Sequence, residues 1–199
     1  MGTNYKEDRD FTDFIHKKIA ISKIYDILGW SEYDVGEVES VRADLFEGID
    51  YHFKDEEGNI ITTQERFRDS YYQQFNDFTI RFEREYNPHE ERRQSEFYKL
   101  NADYFVYGIT NGSKFRKNEI TDYIKFAVVD LRVIKQLTDE GKIVIDRSVR
   151  GVKCVMQNGV MHCPVNYNHD DSSSFFPVDI KFLVENFSEY CPVILKKGI

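Results

Sequence analysis

The segment Asp103 to Ile109, reading DYFVYGI, constrains the chain most, because it is almost entirely apolar or aromatic. A strand of that composition is buried on both faces and belongs in the middle of a sheet. Its neighbours are legible on either side in sequence. Leu45 to Phe53 opens a strand, Asp55-Glu56-Glu57-Gly58-Asn59 is a polar turn, and Ile60 to Arg68 returns as the second strand of a hairpin. Downstream, Asn111-Gly112-Ser113-Lys114 signals a turn, and Tyr123 to Val129 pairs back.

Helices are expected around these strands. Residues 8–28 place Phe11, Phe14, Ile15, Ile19, Ile24 and Leu28 three to five apart, with Gly29 as a stop, which is an amphipathic helical pattern. Residues 30–43 read as acidic and irregular, and a further helix covers about 130–141. DFTIRFERE, residues 77–85, alternates apolar Phe78, Ile80 and Phe82 with polar neighbours, the period of a half-buried strand of the same sheet. The charged run HEERRQSEFYKL after Asn87-Pro88 reads as a short helix. In the tail, Asn158-Gly159 suits a hairpin turn between residues 152–156 and 160–164, and Pro177 suits the first turn of a closing helix. The load of 16 Phe and 13 Tyr against one Trp also favours pleated structure.

Together these patterns predict an α/β fold, a central mixed β-sheet flanked by helices, with a small C-terminal β-hairpin and helix. The 199 residues are expected to form a single domain, with a core over 8–145 and an extension over 146–199 packed on it. At 41% hydrophobic and 31% charged residues, the composition is globular rather than disordered. No apolar stretch is long enough for a membrane span, and the first residues show neither a basic nor an apolar leader pattern, so a cytoplasmic protein without a membrane partner is expected. Cys154, Cys163 and Cys191 are an odd set without CxxC spacing; buried reduced thiols are the expectation, ahead of a zinc site completed by His162 or His169. A net charge of −8 argues against a protein that coats nucleic acid nonspecifically, since that affinity is mostly counterion release by Lys and Arg.

The chemistry-bearing residues lie on the first hairpin. Asp50, the Gln64 amide and a Glu65 oxygen are hard oxygen donors of the kind Mg²⁺ or Mn²⁺ takes, and Arg66 would face a phosphate and offset its growing charge. Strand alternation turns Glu65 to the opposite face from Gln64 unless a bulge re-aims it. The plain alternative for Asp50 is a cross-strand ion pair with Arg66 or Arg68. Cations recur in three groups: Arg81, Arg84, Arg92 and Arg93; Lys114, Arg116 and Lys117; and Arg147, Arg150 and Lys153. Tyr71, Tyr72 and Phe75 stand before the first group.

The order helix, strand with Gly48-Ile49-Asp50, turn, strand with Thr63-Gln64-Glu65-Arg66-Phe67-Arg68, then Ala102-Asp103-Tyr104-Phe105-Val106-Tyr107-Gly108, resembles the PD-(D/E)xK nuclease superfamily over roughly residues 8–130. The resemblance implies a restriction endonuclease-like core. It puts Asp50 in place of the first motif's aspartate, Gln64 in place of its second acid, and Arg66 in place of its lysine. Arg sheds no proton, so Arg66 is left an electrostatic role rather than that of a base. Many such proteins also carry a glutamate on the first helix, where this chain offers Glu7, Asp10, Asp13 and His16. The function implied is Mg²⁺- or Mn²⁺-dependent endonuclease cleavage of DNA, with catalytic residues Asp50, Gln64, Glu65 and Arg66, and with Arg68, Arg81, Arg84, Lys114, Arg116 and Lys117 on the nucleic acid. A homodimer is compatible with it. The alternatives are a noncatalytic protein-interaction module on the same fold, or a nuclease directed at RNA.

Overall fold

The chain opens with a long helical run that changes its winding. In the computed structural model, which describes residues 5–90, 93–168 and 173–199, helix α1 spans Tyr5–Ile15, His16–Tyr25 is wound as a π-helix, and α2, Asp26–Leu28, closes the run. The wider winding shows in the Asp26 N–H, which bonds the Ile21 carbonyl five residues back. Gly29 adopts φ of 69° and stops the helix where the sequence places the stop. Phe11, Ile15, Ile19, Ala20, Ile24 and Tyr25 are buried from this run and pack with Phe53, Phe67, Val106, Phe126 and Val128 of a sheet. Each fully buried side chain of this size stabilises the fold by about 1.5–3 kcal/mol.

The remaining elements come in chain order: β1 (Ser31–Glu32), α3 (Glu37–Glu47), β2 (Tyr51–Lys54), β3 (Ile60–Arg68), β4 (Asp77–Arg81), α4 (Glu96–Lys99), β5 (Tyr104–Thr110), β6 (Tyr123–Asp130), α5 (Leu131–Asp139), β7 (Ile143–Asp146), β8 (Val155–Gln157), β9 (Val160–Pro164), β10 (Asn166–Tyr167), β11 (Ser174–Asp179), α6 (Ile180–Asn186) and β12 (Val193–Lys197). Among the described residues, no helix is long and apolar enough to cross a membrane. The fold is α/β with a mixed central sheet and helices.

Contacts divide the chain into two compact units, neither continuous in sequence. The first takes Asn4–Phe75, Asn101–Asp130 and Val193–Ile199, and holds a six-stranded sheet of order β1-β2-β3-β5-β6-β12. Among the described residues only β3 and β5 run parallel in it, Thr63 opposite Tyr104 and Arg68 opposite Ile109. The interior strand expected at 103–109 is therefore β5, with Phe105 through Thr110 all buried. Gly108 is required there: a Cβ on it would lie 2.7 Å from the Tyr123 ring.

The second unit includes Asn76–Leu100 and Leu131–Pro192, so its boundaries do not follow the expected division at 145. It holds two three-stranded sheets, β10-β11-β4 and β7-β9-β8. The expected strand at 77–85 exists as β4, but it pairs with β11, Phe78 opposite Val178, rather than joining the central sheet. The Asn158-Gly159 turn forms as expected, with both residues at positive φ.

Further segments differ from the sequence reading, among them residues 31–32, which form the short strand β1 within the stretch read as irregular. Residues 37–47 are helix α3 instead of irregular chain and incipient strand. Gly48 at φ of 61° ends it, and its exposed Val38 and Phe46 give the apolar spacing no inward face to report. The charged run yields only the four-residue α4, while Glu91 and Arg92 lie outside the described residues. Pro177 sits inside strand β11, and the closing helix begins after it, capped by the Asp179 carboxylate on the N–H groups of Lys181 and Phe182. Cys154 and Cys163 are buried free thiols and Cys191 is exposed; His169 lies outside the described residues.

Candidate functional site

The site arises where two paired strands end at different points. The β2–β3 ladder stops at Tyr51 opposite Thr63, while β3 continues to Arg68. The N–H groups of the overhang are taken by side chains instead. Asp50 Oδ2 accepts from the Glu65 N–H at 2.8 Å, and the Thr12 hydroxyl of α1 accepts from the Phe67 N–H at 3.4 Å. An unsatisfied buried N–H costs about 1–3 kcal/mol, which ties Asp50 and α1 to this edge.

Around Asp50, whose side chain is only 7% exposed, the charges converge on one guanidinium. Arg9 of α1 donates through Nη1 to Asp50 Oδ1 at 2.5 Å and to Asp44 Oδ1 at 3.5 Å, and through Nε to Asp13 Oδ1 at 3.1 Å. The Tyr51 hydroxyl donates to the same Asp13 oxygen at 3.0 Å. Burial pushes Asp50 up to about 7, against the pull of Arg9 and of the Glu65 N–H; nearby Glu65 and Asp44 push the same way as burial. Burial works to lower Arg9, and the charges of Asp50, Asp44 and Asp13 outweigh it, so Arg9 is raised.

A second network lies beside the first. The Glu65 side chain is wholly buried; its Oε1 meets His16 Nδ1 at 2.7 Å and accepts from the Tyr25 hydroxyl, while its Oε2 is buried without a hydrogen-bond partner among the described residues. His16 Nε2 reaches Glu32 Oε1 at 3.1 Å, and its ring stacks on Tyr51 with centroids 3.7 Å apart. Burial works to lower His16, but the hydrogen bonds and charges of Glu65 and Glu32 prevail and raise it. Tyr25 is raised by burial and by Glu65.

Strand alternation decides which expected residues meet. Thr63, Glu65 and Phe67 turn to the face covered by the first helical run, while Gln64, Arg66 and Arg68 turn to the other. Arg66 lies over the Phe105 ring at 5.8 Å and Arg68 over Tyr72 at 4.8 Å. The expected ligand set Asp50, Gln64 and Glu65 is thus split across the sheet, and Arg66 is not brought to the Asp50 carboxylate. Nor is Asp50 paired with Arg66 or Arg68; its cation comes from the helix. Of the first-helix candidates, Asp13 and His16 face the site, whereas Glu7 lies 4.0 Å from Lys114. Arg9 escaped the sequence reading. Its one signal was the i,i+4 spacing to Asp13, which is common on solvated helices.

The expected nucleic-acid cations are divided too. Arg81 and Arg84 belong to the second unit, and Arg68, Lys114, Arg116 and Lys117 to the first. Lys114 bonds Asp8 of α1 at 2.6 Å, and Lys117 lies 4.7 Å from the centre of the Phe14 ring of the same helix.

Among the described residues, no group of three or more His, Cys, Asp or Glu side chains is disposed to hold a metal ion. The donor chemistry of Asp13, Asp44 and Asp50 is that of hard oxygens, which suits Mg²⁺ or Mn²⁺, and the unpartnered Glu65 Oε2 is a further oxygen of that kind. The cation these acids surround in this structure is the Arg9 guanidinium. No family model, no curated protein and no solved structure matches the chain.

Proposed function

We propose that the chain is a divalent-cation-dependent endonuclease of restriction endonuclease-like type, with its centre at Asp50, Asp13 and Asp44, acting on DNA. The observation that carries the reading is the convergence of three carboxylates on one cation, at the point where β3 outruns β2. These acids are not disposed around a metal position in this structure; for a divalent ion to bind, Arg9 would have to leave and Asp50, Asp44 and Asp13 close on the ion, with the Glu65 N–H holding the Asp50 carboxylate in place. When bound, such an ion lowers the pKa of its water and offsets charge on a phosphate. Arg9, released from Asp50, would keep a guanidinium beside the phosphate, the role the sequence reading gave to Arg66. Lys117 lies against α1, the helix that carries Arg9 and Asp13, and adds positive charge on that side of the unit.

The test is nicking of supercoiled plasmid in Mg²⁺ or Mn²⁺ by the native protein and by Asp50→Asn, Asp13→Asn and Arg66→Ala. Nicking abolished in the first two and retained in the third is the expected result. Equal nicking by all four preparations would remove the site.

A second reading, a noncatalytic interaction module on the same fold, is favoured by the 2.5 Å Arg9–Asp50 pair, which neutralises the acid a metal would need. It expects no Mg²⁺ heat in titration calorimetry and no nicking. An RNA-directed nuclease shares the chemistry of the first reading and separates from it by RNA cleavage in the same assay.

A further inference from the structure

The segment 111–119, NGSKFRKNE, carries one large apolar side chain, and Phe115 is 97% exposed. An isolated exposed aromatic is ordinary; one held out on a fastened loop between cations is less so. The loop is fastened at several points. The Ser70 N–H bonds the Gly112 carbonyl at 3.0 Å, the Lys114 N–H bonds Asp69 Oδ2 at 3.1 Å, and the Asn111 side chain bonds the Thr121 hydroxyl at 3.1 Å. Ser113 caps the short turn by accepting from the Phe115 N–H at 3.3 Å. The kink at Arg116, φ −122° and ψ 42°, divides the turn just after Phe115. The aromatic ring is therefore displayed by an anchored backbone.

The turn that carries it holds Lys114, Arg116 and Lys117 against Glu119, a local excess of basic residues in a chain of net charge −8. Lys18 and Lys117 bracket the Phe14 ring, their ammonium groups 5.3 and 4.7 Å from its centre, and Lys18 also donates to the Asn118 carbonyl. Lys114 is neutralised by Asp8, but among the described residues no ion pair engages Arg116 or Lys117. A ring flanked by cations outside any ion pair matches a ligand that alternates flat π-faces with negative charges. Unpaired nucleotides have that form, whereas duplex DNA keeps its bases stacked inside. A membrane surface fits less well, because the loop offers one apolar side chain and peripheral insertion needs an apolar face.

We propose that residues 114–117 form a docking point for single-stranded nucleic acid: Phe115 stacks on an unpaired base, and Arg116 and Lys117 take the flanking phosphates. The proposal deepens the nuclease reading and rests on it for its role, by placing an unpaired strand against α1, the helix that carries Arg9 and Asp13. Its binding test is independent of cleavage.

Fluorescence anisotropy with a labelled oligothymidylate and a hairpin duplex of equal length, in EDTA and low salt, compares the native protein with three variants. Phe115→Ala is expected to weaken single-strand binding about tenfold without changing its salt dependence. The double variant Arg116→Ala, Lys117→Ala should flatten the plot of log affinity against log salt by about 1.4, two phosphate contacts on a single strand. Phe115→Trp should retain affinity, and its indole emission should be quenched as oligonucleotide is added. Exposure of Phe115 makes misfolding no explanation for a loss. The proposal is overturned if Phe115→Ala binds as the native chain does, if the duplex binds as tightly as the single strand, or if neither oligonucleotide binds. Phosphatidylserine vesicles that sediment the native protein but not Phe115→Ala, with flat anisotropy, would overturn it in favour of a membrane. Phe115-dependent binding in a protein that fails to nick plasmid would discard the nuclease centre and leave this docking point standing.

Discussion

Arg9 and Arg147 each gather several acids, and burial makes them different objects. Arg147 bonds Glu83 and Glu85, each at 2.7 Å, and the Tyr167 hydroxyl at 2.9 Å, in an exposed setting. There the hydrogen bond from Arg147 holds Glu85 below the usual carboxylate range, the behaviour of a solvated ion pair. Arg9 gathers Asp13, Asp44 and Asp50, yet Asp50 moves upward, because the cost of desolvating its charge exceeds what the guanidinium returns. The pattern repeats in the histidines. His162 pairs with a solvated Asp146 held down at about 2, first by its bond from Ser148 and then by His162, while His16 is enclosed with Glu65. Like residue pairs thus give a surface clasp in one unit and an enclosed, proton-sensitive cluster in the other.

The contrast can be tested in order of expected size. Replacing the enclosed acid, Glu65→Leu, strands His16 and Tyr25 and should destabilise the fold by about 3–5 kcal/mol in chemical denaturation. A loss below about 1 kcal/mol would mean that the buried network is dispensable. Arg9→Ala leaves Asp50 without its cation; since Arg9 is itself partly exposed, about 2 kcal/mol is expected.

The pH profile tests the same difference by sign. Folded Asp50 holds its proton to about 7 and the unfolded side chain releases it near 3.8, so between those values the folded form binds more protons. Its contribution is complete below about 3.8 and lost as pH rises through about 7, and Asp50→Asn should remove that downward slope. His16, raised above 6.5, adds stability that is full below 6.5 and lost at higher pH. Asp146 runs the other way, its contribution present above 3.8 and lost as pH falls through about 2. Parallel native and Asp50→Asn profiles would refute the assignment. Smallest of all, Arg147→Ala should cost under about 1 kcal/mol, and the effect should shrink further in high salt.

Four of the six strands of the central sheet, β2, β3, β5 and β6, were legible because their signals are local, whereas the edge strands β1 and β12 were not read. DYFVYGI could only be an interior strand, and the 55–59 turn fixed the hairpin before it. Of the residues in the candidate site, Asp50 and Glu65 were named from sequence, with Asp13 and His16 among the first-helix candidates. What escaped depends on three-dimensional placement. Alternation already set 64 and 66 against 65 but not which face the first helical run covers, and the partner of Asp50 comes from a helix more than forty residues earlier in the chain, a distance no window reads. The departure of β4 to pair with β11 is equally nonlocal, since the alternation of DFTIRFERE specifies a half-buried strand but not its sheet.

The π-wound stretch from His16 to Tyr25 makes the spacing of its residues a matter of phase. A deletion of one residue between 17 and 24 would have to be absorbed by a change of winding; where the winding does not adjust, the N-terminal half turns by one residue's angle, about 100°, against the C-terminal half. Arg9, Asp13 and His16 precede the deletion and Tyr25 lies beyond it, so His16 and Tyr25 would no longer meet on Glu65 although no side chain of either network had been touched. In this stretch the count of residues matters as much as their identity.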